Sequence, residues 1–515
     1  MSTAIGEESA PPPAAAASGS VVGRNVAFSW GSQLCVALAG LLLMPFILTT
    51  VGKDVHGAWL LMNAIAGYSR VLYLGFGETT ARYVSLHAAR REWAELNRVG
   101  SCVQAVYLGS ACVVLLATVV FAWVAPMLPT DWGKEPIGEV RLAIGLLGLN
   151  MAIGLAGSFY GGLLMGVQRF DLERGVEIAV TVVRVALVLL LLTARMPLVT
   201  LALIFTVVTL IENGLFFVLA HREVSSLRLS VFDLNTQTVR KCFAFSSFAG
   251  LAVVSEVLIF TTDTAVLGLV LSTAAIMPYA MAHRVSEMLR RPLEQLGVVV
   301  LPRAGELDSA ARGDELRQLV IESFSLIFLL TAGFLVGTVF FGDLFLAVWI
   351  GPGWSSAHAV MVVLIAALAV AMPAGLLRRV MVGVGEVRVP SLLLLAEAGT
   401  NLTLSLILVH SYGLMGVAVG TLIPVVLFEG FALTPWAARR LGLSPTRLLG
   451  AMLRRCGWPL AVLTAYCWAV DAMQPPQNWP VLLLVTAGGG GLLLVTRFGL
   501  EILTNPRAVL RGDAA

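Results

Sequence analysis

The sequence predicts an all-α polytopic membrane protein of about fourteen transmembrane helices, arranged as two six-helix bundles in parallel repeat with two extra C-terminal helices. Three observations carry this. Of 515 residues, 58% are hydrophobic and only 13% charged, and the mean hydropathy is +0.88, whereas soluble domains hold roughly 45–50% apolar residues. Apolar stretches of about 20 residues, enough to cross roughly 30 Å of hydrocarbon as a helix, recur from Val26 to Phe498. Basic residues, finally, are sorted between alternate connections.

Residues 1–20, MSTAIGEESAPPPAAAASGS, lack the basic start and apolar centre of a secretory signal and read as a short disordered cytoplasmic tail. The first bundle, 21–222, takes spans near 26–48, 57–81, 99–125, 139–165, 174–194 and 197–220. The second, 223–440, takes spans near 243–270, 274–301, 318–341, 356–381, 389–410 and 414–437. Residues 441–515 add spans near 449–470 and 479–498 and a short cytoplasmic tail. With these spans, Arg90, Arg91, Arg98, Arg169, Arg222, Arg228, Arg240, Lys241, Arg303, Arg312, Arg317, Arg388, Arg439, Arg440, Arg447, Arg454 and Arg455 share one side. The other side holds essentially Lys53, Lys134 and Arg195. The positive-inside rule makes the first side cytoplasmic and puts both termini there. One missed or invented span would scramble this sorting.

An internal repeat supports two halves. ARYVSLHAARREWAELNRV (81–99) is similar in layout to LPRAGELDSAARGDELRQLV (301–320), and LLMGVQRFDL (163–172) to VMVGVGEVRVP (380–390), at an offset of about 220 residues. Parallel repeats place a cavity between bundles that can rock against each other, which suggests transport. A duplicated channel or membrane enzyme would carry the same repeat.

Charges inside the spans narrow the chemistry. Arg70 lies half way along span two, Arg184 mid-span in helix five and Arg284 at similar depth in the second half. Arg290 and Arg291 follow one or two turns nearer the cytoplasm, and Arg24 stands at the mouth of helix one. An ionised side chain at such depth costs about 2.5–3.5 kcal/mol unless it meets protein, water or a counter-ion, so these arginines should face inward. Permanently charged guanidinium forks imply an anionic ligand, phosphate above all.

The acidic set is Glu78, Glu177, Glu212, Glu256, Asp263, Glu287, Glu397 and Glu429. Glu287 shares a helix face with Arg284, as Glu177 does with Arg184, so internal pairing competes with ligand contact. Glu256 and Asp263 share one face of span seven with no basic residue nearby in sequence, which makes them candidate proton or sodium sites. No cofactor is expected beyond such a coupling ion. The six cysteines show no CxxC, the six histidines no ligand spacing, and no Walker motif is present. The glycine-rich GFGETT (75–80) and VGVGEV (382–387) follow no strand, which argues against nucleotide binding.

MPFILTTVGKDVHGAWLLMNAIAGYSRVLYLGFGETTARYVS (44–85) and GLLMGVQRFDLER (162–174) resemble the opening spans and inner-turn motif of bacterial polysaccharide flippases. These are the O-antigen or lipopolysaccharide oligosaccharide (Wzx-type) flippases of the multidrug, oligosaccharidyl-lipid and polysaccharide (MOP) exporter superfamily. The resemblance covers spans one to five and continues mainly as topology. It implies translocation of an undecaprenyl-pyrophosphate-linked oligosaccharide across the bacterial inner membrane, coupled to an ion gradient. It also implies membrane lipid and polysaccharide assembly proteins as partners, no nucleic acid and no enzymatic reaction. A drug or organic-cation antiporter of the same superfamily would call for an acidic cavity. A membrane-embedded polymerase or glycosyltransferase would call for a large external loop with catalytic groups, and the longest such connection, 126–138, is short.

Overall fold

A computed structural model describes residues 19–73, 76–230, 236–473 and 478–504; the side chains of Arg24, Glu78 and Arg82 are among those outside the described set. The predicted tail, 1–20, lies almost wholly outside it. All regular structure among the described residues is helical. In chain order the α-helices are α1 (Gly19–Gly67), α2 (Phe76–Ala89), α3 (Trp93–Val124), α4 (Ile137–Gly166), α5 (Phe170–Leu191), α6 (Pro197–Glu223) and α7 (Thr236–Val270). There follow α8 (Ile276–Ser309), α9 (Gly313–Ile350), α10 (Ser355–Gly383), α11 (Arg388–Pro424), α12 (Thr434–Arg440), α13 (Pro445–Met473) and α14 (Trp479–Thr504).

Nine helical stretches among the described residues are long and apolar enough to cross a membrane. Two of them, Phe28–Tyr73 and Arg388–Arg440, run 46 and 53 residues, about twice what one crossing needs. Each is interrupted at a glycine: Gly52 (φ 80°, ψ 170°) in the first, Gly413 (φ 57°, ψ −131°) in the second. Only glycine adopts such angles freely. At Gly413 the chain turns back on itself, since Gly420 packs on Ser405 and Gly416 on the Leu408 carbonyl. Both breaks fall where the hydropathy pattern ends one span and starts the next. α2, α5, α8 and α13 are absent from the nine; α5 carries Glu177 and Arg184, and α8 carries Arg284, Glu287, Arg290 and Arg291.

The two pairs of similar sequence make the same turn. After α2, Arg91 takes φ 57°, with Arg91 N donating to Ala88 O and Glu92 N to His87 O. After α8, Ala311 takes φ 54°, with Ala311 N donating to Asp308 O and Arg312 N to Leu307 O. The α4–α5 and α10–α11 turns repeat the pattern at Gln168 and Gly385. A single left-handed residue closes the helix end by satisfying its last carbonyls.

Helices approach closely where side chains are small, as packing in lipid requires. Gly148 admits Thr118 and Gly157 admits Asn213, while Asn150 Nδ2 donates to Thr209 Oγ1 at 2.8 Å across α4 and α6. α4 packs on α3 and α6, α10 on α8 and α9, and α11 on α7. The N-terminal and C-terminal helices meet where α1 lies against α7 and α8 and where α2 reaches α7. At the end bearing the Gly52, Asp131 and Thr273 turns, one apolar core runs continuously from Met44 in α1 to Ala418 in α11. Towards the arginine-rich end the apolar packing divides. One cluster gathers around Val103, Phe159 and Leu163, another around Leu316, Leu377 and Leu448 that includes α13 and α14.

Candidate functional site

α1 stands at the centre of the charged interior and touches a cluster on each side. Towards α5, Ser32 Oγ donates to Glu177 Oε2 at 2.5 Å. Towards α8, the Val36 carbonyl accepts from Arg284 Nη2 at 3.1 Å. Gly40, one turn along, leaves the room this requires: a Cβ there would lie 1.4 Å from Arg284 Nη2.

In the N-terminal cluster, Glu177 is held by Arg174 at 2.7 Å, which also meets Glu173 at 3.1 Å. Arg184 instead lies over the Phe205 ring, 5.0 Å from its centroid, and Trp59 packs edge-on against the same ring. Glu212 and Glu177 are its electrostatic neighbours. Arg70 sits not in an α-helix but in a 3-10 segment, Tyr68–Tyr73, where it is exposed. That tighter winding separates α1 from α2 at the depth where the sequence places an unbroken span two.

In the C-terminal cluster, Arg290 binds Glu287 at 2.7 Å and Glu294 at 2.5 Å, and Arg291 binds Glu287 at 3.1 Å. Glu287 thus serves the two arginines after it, and Glu177 serves Arg174. The pairings that helix-face spacing suggested, Glu287 with Arg284 and Glu177 with Arg184, do not form. Among the described residues no carboxylate lies within ion-pair distance of Arg70, Arg184 or Arg284. Gln33, Val36, Ala37, Arg284, Glu287, Met288, Arg291 and Pro292 line a recess of about 20 Å³ between α1 and α8, room for about one water. A larger cavity, about 260 Å³, lies between α1, α3 and α4 and is mostly apolar, with Tyr68, Ser69 and Thr118 in its wall.

Glu256 and Asp263, grouped by the sequence on one face of α7, occupy different surroundings. Asp263 is buried and accepts hydrogen bonds from Tyr279, from Thr421 Oγ1 at 2.9 Å and from Ser405 Oγ at 3.4 Å. Asn401 Nδ2 donates to Thr421 Oγ1 at 3.0 Å, leaving its own Oδ1 buried and unpartnered. This is a carboxylate of α7 in a cage of oxygens drawn from α8 and both arms of α11. Glu256 is exposed and faces Arg290 and Arg378, basic neighbours that its own helix does not reveal.

Arg378 is the residue that sequence reasoning passed over. It projects from α10, ion-paired with Glu429, which lies on a π-helix, Val425–Leu433. The signal was present as two arginines, Arg378 and Arg379, inside span ten, opposite a mid-span glutamate in span twelve. At the α4–α5 turn, Arg169 binds Asp171 at 3.1 Å and Glu223 at 2.6 Å. The Asp171 hydrogen bond, with Glu223 beside it, holds the guanidinium above its ordinary pKa. Arg169 of the inner-turn motif is therefore a clamp between α5 and α6.

The family profile described as polysaccharide biosynthesis protein matches residues 96–359, just over half of the chain. Among solved structures, the chain is similar to the lipid II flippase MurJ in an inward closed conformation, with TM-score 0.68 and 12% identity over 94% of this chain and 99% of that one. It is similar to an inward-facing multidrug resistance MATE family transporter of the MOP superfamily, with TM-score 0.63 and 13% identity over 80% and 94%. It is similar also to a mutant of the Vibrio cholerae MATE transporter VcmN, with TM-score 0.59 and 15% identity over 82% and 97%. At these identities the likeness is one of fold. No curated protein matches the sequence.

Proposed function

The chain belongs to the polysaccharide biosynthesis protein family, and from that premise we propose that it flips a polyprenyl-pyrophosphate-linked oligosaccharide from the inner to the outer leaflet of the bacterial cytoplasmic membrane. One observation supports the reading: among the described residues no carboxylate lies within ion-pair distance of Arg70, Arg184 or Arg284, the three arginines that the sequence places inside its apolar spans. Three permanent charges in that state need an anion, and a pyrophosphate head supplies it. An organic-cation site would call for acidic groups where these guanidinium groups stand.

In this reading the chain crosses fourteen times, with both termini and the arginine-rich turns in the cytoplasm. Residues 21–222 and 223–440 act as two bundles that rock about the joint core near Gly52, and residues 441–515 complete the fold. On this orientation the joint core lies on the outer side and serves as its seal. The cage around Asp263 is the ion-coupling site. Arg290 and Arg291, tied to Glu287, steer the head towards Arg284 rather than hold it.

Reconstitution in liposomes with a labelled lipid-pyrophosphate oligosaccharide, scored by leaflet, tests this. Arg70→Ala, Arg184→Ala and Arg284→Ala should each slow flipping at least about tenfold, ~1.4 kcal/mol, in protein that still inserts. Asp263→Asn should flatten the response to an imposed ion gradient. Full activity in all three arginine variants overturns the assignment.

A further inference from the structure

Beside the Asp263 cage lies a second buried group that the proposed transport cycle has not used. Glu397 on α11 and Glu429 on the π-helix are 4% and 2% exposed, and both face Arg378 on α10. Arg378 meets one oxygen of Glu429. The second oxygen of Glu429, Oε2 of Glu397 and Nε of Arg378 are all buried without a hydrogen-bond partner. Arg378 is ion-paired with Glu429 and has Glu397 as its foremost electrostatic neighbour, and the orphaned atoms lie on all three residues. The contact of Ile259 with Leu394 and Ala398 is a separate small apolar cluster at the α7–α11 interface.

Charge decides what this arrangement holds. With both carboxylates ionised the trio carries a net negative charge away from water, which is costly without a further partner. The other charges in range of Arg378 do not cancel it: Glu256 from α7 and Glu294 from α8 are acidic, and Arg379 lies beside it on α10. Glu294 is itself taken by Arg290, and the Arg379 stem packs on Gly297 of α8. A metal cation would be repelled by the adjacent guanidinium and would find few neutral oxygens. A proton needs neither, and on one carboxyl it supplies the donor that the orphaned oxygens lack. The π-helix contributes directly, since its wider turn follows Pro424 and presents Glu429 inward.

We propose that Glu397 and Glu429 form a proton-binding carboxyl pair, bridged by Arg378, distinct from the Asp263 cage. A proton taken up by the pair weakens its hold on Arg378, whose side chain is 25% exposed and faces Glu256 and Glu294. Arg378 is then free to meet an anionic head, and proton release draws it back. That last consequence rests on the flippase reading; the proton site does not.

The test is infrared difference spectroscopy, acid minus alkaline, on the full chain in lipid bilayers, in the Asp263→Asn background that silences the neighbouring cage. A buried carboxylic C=O band should appear on acidification in sodium-free buffer. It should vanish in Glu397→Gln and in Glu429→Gln, and persist at a shifted frequency in Glu397→Asp, which keeps the carboxyl should the glutamine variants fail to fold. Absence of the band, its persistence in both glutamine variants, or its replacement by a sodium-dependent carboxylate signal overturns the assignment. An intact band in protein that flips no lipid-linked sugar counts against the flippase reading and leaves the proton site standing.

Discussion

Gly40 is, by position, as much a part of the site as Arg284, because any side chain there would overlap the guanidinium. On the proposed flippase reading, Gly40→Leu should therefore slow flipping about as much as Arg284→Ala, roughly tenfold or ~1.4 kcal/mol. The double variant should be no slower than the worse single one, the sign of two changes acting on one contact; additive losses in initial rates would separate them. Arg70, Arg184 and Arg284 were legible in the sequence because an arginine in an apolar run stands out without any neighbour being known. Their partners were not. Spacing on one helix says which residues can meet, yet Glu287 chose Arg290 and Arg291, and Glu177 chose Arg174 with help from Ser32 on another helix.

Helices here are ended by backbone geometry more than by capping side chains. The left-handed residues at Arg91, Gln168, Ala311 and Gly385 recur because the same turn must satisfy the same orphaned carbonyls. Gly413 goes further, into a region open only to glycine, and Gly413→Ala should cost about 1–3 kcal/mol. Gly31, helical with open space around its would-be Cβ, is the control: Gly31→Ala should stabilise by about 0.5–1 kcal/mol. Thermal unfolding in detergent checks the pair, and equal shifts would show that Gly413 is not conformationally special. Span ends were readable from hydropathy, and glycine marked two of the breaks. The 3-10 winding at Arg70 and the π-helix at Glu429 were not readable, since both depend on what packs against them.

For the whole molecule, the decisive feature is the seal at the Gly52 end. Thr273 Oγ1 donates to Asp131 Oδ1 at 2.6 Å, Trp349 Nε1 donates to the Leu41 carbonyl at 2.8 Å, and Gly57 lies against the Thr273 backbone. A Cβ at Gly57 would stand 1.8 Å from Thr273 O, and a carbonyl cannot swing away as a flexible side chain can. Gly57→Val should therefore disfavour this contact and shift the population towards a form open at the Gly52 end. Spin labels on Lys53→Cys and Leu271→Cys, both at exposed positions, should show longer distances in that variant; an unchanged distribution would deny the glycine its role as a seal.

By itself the sequence determined the solvent this protein lives in, the helical character of its spans, the sorting of its basic turns and the presence of arginines within apolar runs. Each follows from the free energy of single residues in lipid, which is local to the chain. Tertiary structure alone decided which charges are paired, which glutamates are buried beside Arg378, and which end carries the continuous apolar core. Those outcomes depend on helices far apart in sequence coming within a few ångströms of one another, and no periodicity along one helix encodes its neighbour.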